Sequence, residues 1–94
     1  MAQLLVHHKV EDFNKWKPFF DQHSEFRAQN GSKGGKVFRS TTDPNEVFVL
    51  FEWDSPVNAQ KFAQSDSLKE TMKKAGVLGI PEAHFIEEVS TVSA

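Results

Sequence analysis

An α+β fold with elements in the order βαββαβ is what this chain predicts, and three observations carry that expectation. First, Phe13, Trp16, Phe20, His23 and Arg27 recur at intervals of three and four residues, which places them on one helix face. Second, two β-prone runs flank Thr42-Asp43-Pro44-Asn45, a turn whose proline suits the second position and whose asparagine tolerates the third. Third, Ser55-Pro56 pairs a capping residue with a proline suited to a first helical position, opening a second helical stretch before a last alternating run.

Taken in order, residues 3–10 are β-prone at both phases and suggest a central strand covered on both faces. Glu11 and Asp12 suit a helix N-terminus, and the aromatic periodicity runs from there to about Asn30, with Gly31 as the stop. Pro18 interrupts this stretch, so the regular helix either begins near Lys17 or is kinked at the proline. Gly31-Ser32-Lys33-Gly34-Gly35 follows a helix and precedes a strand, the reverse of a phosphate cradle, and is expected to be a turn. Residues 35–41 and 46–54 form the hairpin. After the Ser55-Pro56 start, Ser67-Leu68-Lys69-Glu70 has the form of a capping box, which predicts a fresh helical segment from Leu68 with Met72 and Ala75 on its apolar side. Gly79 and Pro81 punctuate a loop, residues 82–89 form the last strand, and the final five residues are a frayed tail. This order is the ferredoxin-like split βαβ arrangement: a four-stranded antiparallel sheet carrying its helices on one face. Because 46–54 is apolar at both phases, the other face is expected to be covered too, by the sheet of a second copy in a homodimer.

The bulk properties narrow the function. The 94 residues are read as one domain, 1–94, with 11 basic and 13 acidic side chains and a net charge of -2, so no basic footprint for nucleic acid or an anionic membrane is present. Cysteine is absent, which removes disulfides and thiolate chemistry and suits a reducing compartment. The N-terminus lacks a basic leader and a long apolar run, so it is read as mature structure in a soluble, cytoplasmic protein. Nine Phe and two Trp against no Tyr favour either a bulky core or a cavity lined with rings.

His23 and Arg27 are the candidate catalytic pair. A guanidinium and an imidazole inside an aromatic face need partners, and both can meet one carboxylate or enolate, Arg27 through a charge-assisted fork and His23 as proton donor or acceptor. The alternative is a structural network in which Arg27 pairs with Asp21, Glu52 or Glu87 and His23 fills core space. Trp16 and Phe20 are candidate walls of a ligand pocket, and Arg39 and Glu52 either line it or form a cross-strand pair. His7 and His8 are adjacent on a strand, so at most one enters the pocket; His7 is the candidate, with the strand phase open. No His-x-x-x-His or Glu-x-x-His spacing points to a metal, and no cofactor is expected.

The chain resembles the dimeric α/β-barrel superfamily, specifically its small antibiotic-biosynthesis-monooxygenase-like proteins. The likeness lies in HKVEDFNKWK, in the D-x-H-x-x-x-R pattern of Asp21, His23 and Arg27, in GSKGGKVFRSTTDPNEVFVLFEW and in AGVLGIPE. It implies a ligand held between helices and sheet, and chemistry like that of cofactor-free oxygenases on a small aromatic or enolisable molecule. The alternative it leaves is a non-catalytic dimeric binding or accessory protein. The spacing differs from the Asn, Trp and His set of the haem-degrading members, so haem is not expected.

Overall fold

The computed structural model describes residues 2–94. Four strands, β1 (Ala2–Val10), β2 (Ser32–Arg39), β3 (Glu46–Trp53) and β4 (Val77–Glu87), form one sheet in the order β2-β3-β1-β4. Each neighbouring pair is antiparallel. Four helices connect them: α1 (Phe13–Gln22), α2 (Ser24–Gln29), α3 (Pro56–Ala63) and α4 (Asp66–Lys74). This is the ferredoxin-like arrangement, with each of its two helical crossovers divided in two.

The first division falls at His23, not at Pro18, which sits inside α1. At His23 the backbone N–H is shared between the carbonyls of Phe19 and Phe20, both at 3.2 Å, so the ladder tightens by one residue before Arg27 N–H resumes the helical spacing to the His23 carbonyl. Arg27 also caps this break, because its Nη1 donates to the Phe20 carbonyl at 2.8 Å. The second division is capped by Ser65, whose hydroxyl accepts from Leu68 N–H at 3.2 Å; the expected cap, Ser67, lies within the first turn of α4 instead.

Two strands are longer than the sequence suggests. β2 begins at Ser32, and the expected glycine turn is drawn into the sheet with a register shift between Ser32 and Gly34. Gly35 is needed there, since a Cβ would run into the Leu50 carbonyl of β3. β4 begins at Val77, and the expected Gly79 to Pro81 loop is a bulge between the Leu78–Lys9 and Glu82–His7 pairs. A proline is tolerated at such a bulge because no ladder bond is asked of it.

Register fixes the two faces. Leu4, Val6, His8 and Val10 of β1 and Val47, Val49, Phe51 and Trp53 of β3 are all buried beneath the helices. Trp16, Ala59, Phe62 and Ala75 complete that core. The alternate set, including Leu5, His7, Phe48, Leu50 and Glu52, faces away from the helices. Among the described residues no helix is long and apolar enough to cross a membrane.

Candidate functional site

Between the sheet and helices α1, α2 and α4 lies a cavity of about 40 Å³. Val6, His8, Val49 and Phe51 form its floor; Trp16, Phe20, His23 and Arg27 form one wall; Leu68, Thr71 and Met72 form the other. At ~10–15 Å³ per water, it has room for about three waters and is far smaller than the ~300 Å³ at which drug-sized pockets begin. This second wall is the loosest side, because α4 has no fully buried residue.

Arg27 is 8% exposed. Its guanidinium lies 4.0 Å from the Phe20 ring centre and 5.7 Å from that of Phe51. Among the described residues no carboxylate forms an ion pair with it. The Asp21 charge favours its ionised form, but Lys17 holds that carboxylate at 2.7 and 2.8 Å. Burial lowers the Arg27 pKa, yet guanidinium remains a cation at any ordinary pH. A buried cation without a counter-ion is the outstanding electrostatic feature of the site.

His23 stacks on Phe26 at 4.7 Å, and its Nε2 lies 3.0 Å from the Ser67 hydroxyl. Burial, then the charge of Arg27, lowers its pKa, so the ring is neutral at pH 7. His8 meets Trp16 edge-on at 5.5 Å. Burial, and secondarily the charge of His7, pushes its pKa down to about 4. Its Nδ1 is buried without a hydrogen-bond partner. The cavity therefore joins one permanent cation to two neutral imidazoles in an aromatic shell.

Of the residues the sequence singles out, Trp16, Phe20, His23 and Arg27 converge on this cavity. Three do not. His7 stands on the opposite sheet face, stacked on Phe48 at 4.3 Å, with its ring nitrogens 2.8 Å from Glu46 and 2.8 Å from Glu82. These two carboxylates raise its pKa. Glu52 pairs with Gln3 on that same outer face, so the pleat turns it away from the ligand space. Arg39 is on the helix side, but its guanidinium stacks over Phe13 at 4.7 Å and does not line the cavity. His8 is the histidine that enters. The odd-numbered side chains of β1 include Gln3, His7 and Lys9 and the even-numbered ones Leu4, Val6 and Val10, so the more polar phase was the signal that places His8 inward. Among the described residues no cluster of three His, Cys, Asp or Glu side chains is arranged to hold a metal.

No protein-family model matches the chain, and no curated protein matches it. Solved structures do. A candidate antibiotic biosynthesis monooxygenase from Bordetella bronchiseptica is similar at 19% identity with a TM-score of 0.79, over 95% of this chain and 97% of that one. SnoaB from Streptomyces nogalater, a cofactor-independent oxygenase, gives 11% identity and a TM-score of 0.78 over 99% and 97%. A conserved protein from Methanosarcina mazei gives 15% and 0.72 over 93% and 91%. At such identities the likeness speaks to the backbone alone: the chain has the ferredoxin-like fold of the antibiotic-biosynthesis-monooxygenase-like structures.

Proposed function

We propose that the cavity binds a small anion through Arg27, and that the protein acts on it as a cofactor-independent, monooxygenase-like enzyme whose substrate is enolisable. The buried Arg27 guanidinium, with no carboxylate paired to it among the described residues, is the observation that carries this reading. An anionic ligand supplies the missing counter-charge, and an enolate formed next to the guanidinium is stabilised where its charge develops. His23, neutral at pH 7, is the group suited to accept the proton from the carbon next to the carbonyl. The enolate then meets dioxygen as co-substrate; the fold shared with SnoaB supports that step as an inference from likeness alone. At about 40 Å³ the cavity suits the head group of a small acid. We read the protein as a cytoplasmic homodimer in which a second sheet covers the outer face.

The test is direct. Oxygen uptake is followed with a panel of small oxo acids and hydroxyaromatic acids, alongside calorimetric binding of the same compounds. Uptake that disappears in Arg27→Met and His23→Phe, with the fold retained by circular dichroism, supports the enzyme. Saturable binding that needs Arg27 without any uptake makes the protein a non-catalytic carrier of the anion. Binding or uptake unchanged in Arg27→Met overturns the reading.

A further inference from the structure

We propose that the cavity holds only the head of its ligand and that the groove between α1 and α4 is a second subsite for an apolar tail, so the substrate is an acid carrying a chain of several carbons. The inference rests on the reading of Arg27 as the anion contact and deepens it. A cavity of about 40 Å³ accommodates a carboxylate and little else. Beside it runs a groove of about 220 Å³ lined by Phe19, Gln22, His23, Thr71 and Lys74. His23 and Thr71 line both spaces, so this pair forms the partition between head and tail. Phe19 and Lys74 also line a hollow of about 400 Å³ that continues the groove toward Pro18 and Gly76, which gives a chain room to extend. A further hollow, along Lys69 and Val77, shares only Met72 with the cavity.

Helical spacing builds this groove. Phe19 and Gln22 on α1, and Thr71 and Lys74 on α4, are each three residues apart, so one edge of each helix borders it. Its chemistry suits a hydrocarbon. Phe19 keeps 36% of its surface exposed and offers a ring to an apolar chain. The Thr71 hydroxyl already donates to the Ser67 carbonyl at 2.8 Å, and the His23 ring is neutral at pH 7. Lys74 is exposed, so its stem can cover a chain while its ammonium stays in water, and a second charge on the tail would gain no more than a surface ion pair. A chain that crosses the partition passes His23, so the carbon next to the carbonyl is the first one at the junction of the two subsites.

The test titrates the full chain at neutral pH with acetate, butyrate and hexanoate, which share a head and differ only in tail. Full burial of a methylene is worth about fourfold in affinity, and a groove open on one side should give about twofold, so hexanoate is expected to bind about fifteenfold more tightly than acetate. Phe19 does not line the cavity, so Phe19→Ser is expected to bind acetate as the wild type does and to lose most of the gain with chain length. Independently of any variant, nuclear Overhauser contacts of the hexanoate methyl group with the wild type are expected at the Phe19 ring. Affinity indifferent to chain length, a gain that survives Phe19→Ser, or a hexanoate methyl group that contacts Met72 and not Phe19 overturns the tail subsite and leaves the Arg27 site standing. Failure of all three acids to bind, or hexanoate binding undiminished in Arg27→Met, overturns both.

Discussion

Arg27 shows how one side chain serves structure and site together. Its Nη1 gives the Phe20 carbonyl a second donor beside His23 N–H at the break, and its guanidinium lines the cavity. The histidines around it make the fold sensitive to acid. His8 has a folded pKa of about 4 against 6.5, so the unfolded chain binds its proton first as the pH falls. Its contribution is complete above pH 6.5 and is lost progressively toward pH 4, amounting to about 2 kcal/mol at pH 5. His23, also lowered, adds a loss of the same sign. His7 acts oppositely, because its carboxylate partners favour the charged ring; that stabilisation is full at low pH and fades as the pH rises through its raised value. Urea unfolding of wild type and His8→Phe between pH 7.5 and 5 checks this. The wild type should lose about 2 kcal/mol more than the variant across that range, and parallel curves would refute the depressed pKa.

At the scale of elements, the two serines before α4 separate capping from site chemistry. Ser65 satisfies a helix N-terminus, so Ser65→Ala should cost about 1 kcal/mol. Ser67→Ala leaves the cap intact and removes the partner of His23 Nε2, so its signature belongs in the nuclear magnetic resonance titration of His23, with a smaller loss of stability. A larger loss from Ser67→Ala would mean that the capping box begins at Ser67 after all. The sequence pattern S-x-x-E favours Ser67 because Glu70 follows at the right distance, and it is misleading because Ser65 lies one step outside an equally good helix start. The same kind of limit governs the other elements. Periodicity made the Phe13 to Arg27 face legible, since burial itself imposes spacing on the sequence, whereas β3 is apolar at both phases and its buried phase, with Glu52 turned outward, was not. The bulge at Gly79 to Pro81 and the strand start at Ser32 were hidden, because glycine and proline report a local backbone need and not whether a neighbouring strand is present to pair with. Arg39 illustrates the remaining gap: it lies on the expected side of the sheet, and only the position of Phe13 decides that it stacks there and stays out of the cavity.

For the molecule as a whole, the outer sheet face is the unfinished surface. Leu5, Phe48 and Leu50 are only half-buried there, and Phe38 is 50% exposed beside them in β2. A four-stranded sheet with helices on one side leaves this apolar area in water, and a second copy placed sheet to sheet removes it. Leu50→Glu should therefore convert the proposed dimer to a monomer in sedimentation velocity while leaving the proposed anion binding at Arg27 in place, because the cavity lies on the other side of the sheet. In the proposed homodimer the His7 cluster would give the interface a pH dependence. With His7 protonated, one positive ring sits between the Glu46 and Glu82 carboxylates; without its proton, two like charges share a face that the proposed dimer would dry. Lys9, which shares the outer face, is drawn toward Asp43 at 3.7 Å and is a poor substitute for the lost charge. Since the carboxylates raise the His7 pKa, the dimer should be tightest below that raised value and weaken as the pH climbs through it. Sedimentation at pH 6 and pH 9 measures the sign. A dimer indifferent to pH in the wild type, or equally pH-sensitive after His7→Phe, would place the His7 cluster outside the interface and leave the apolar patch alone to hold the two sheets together.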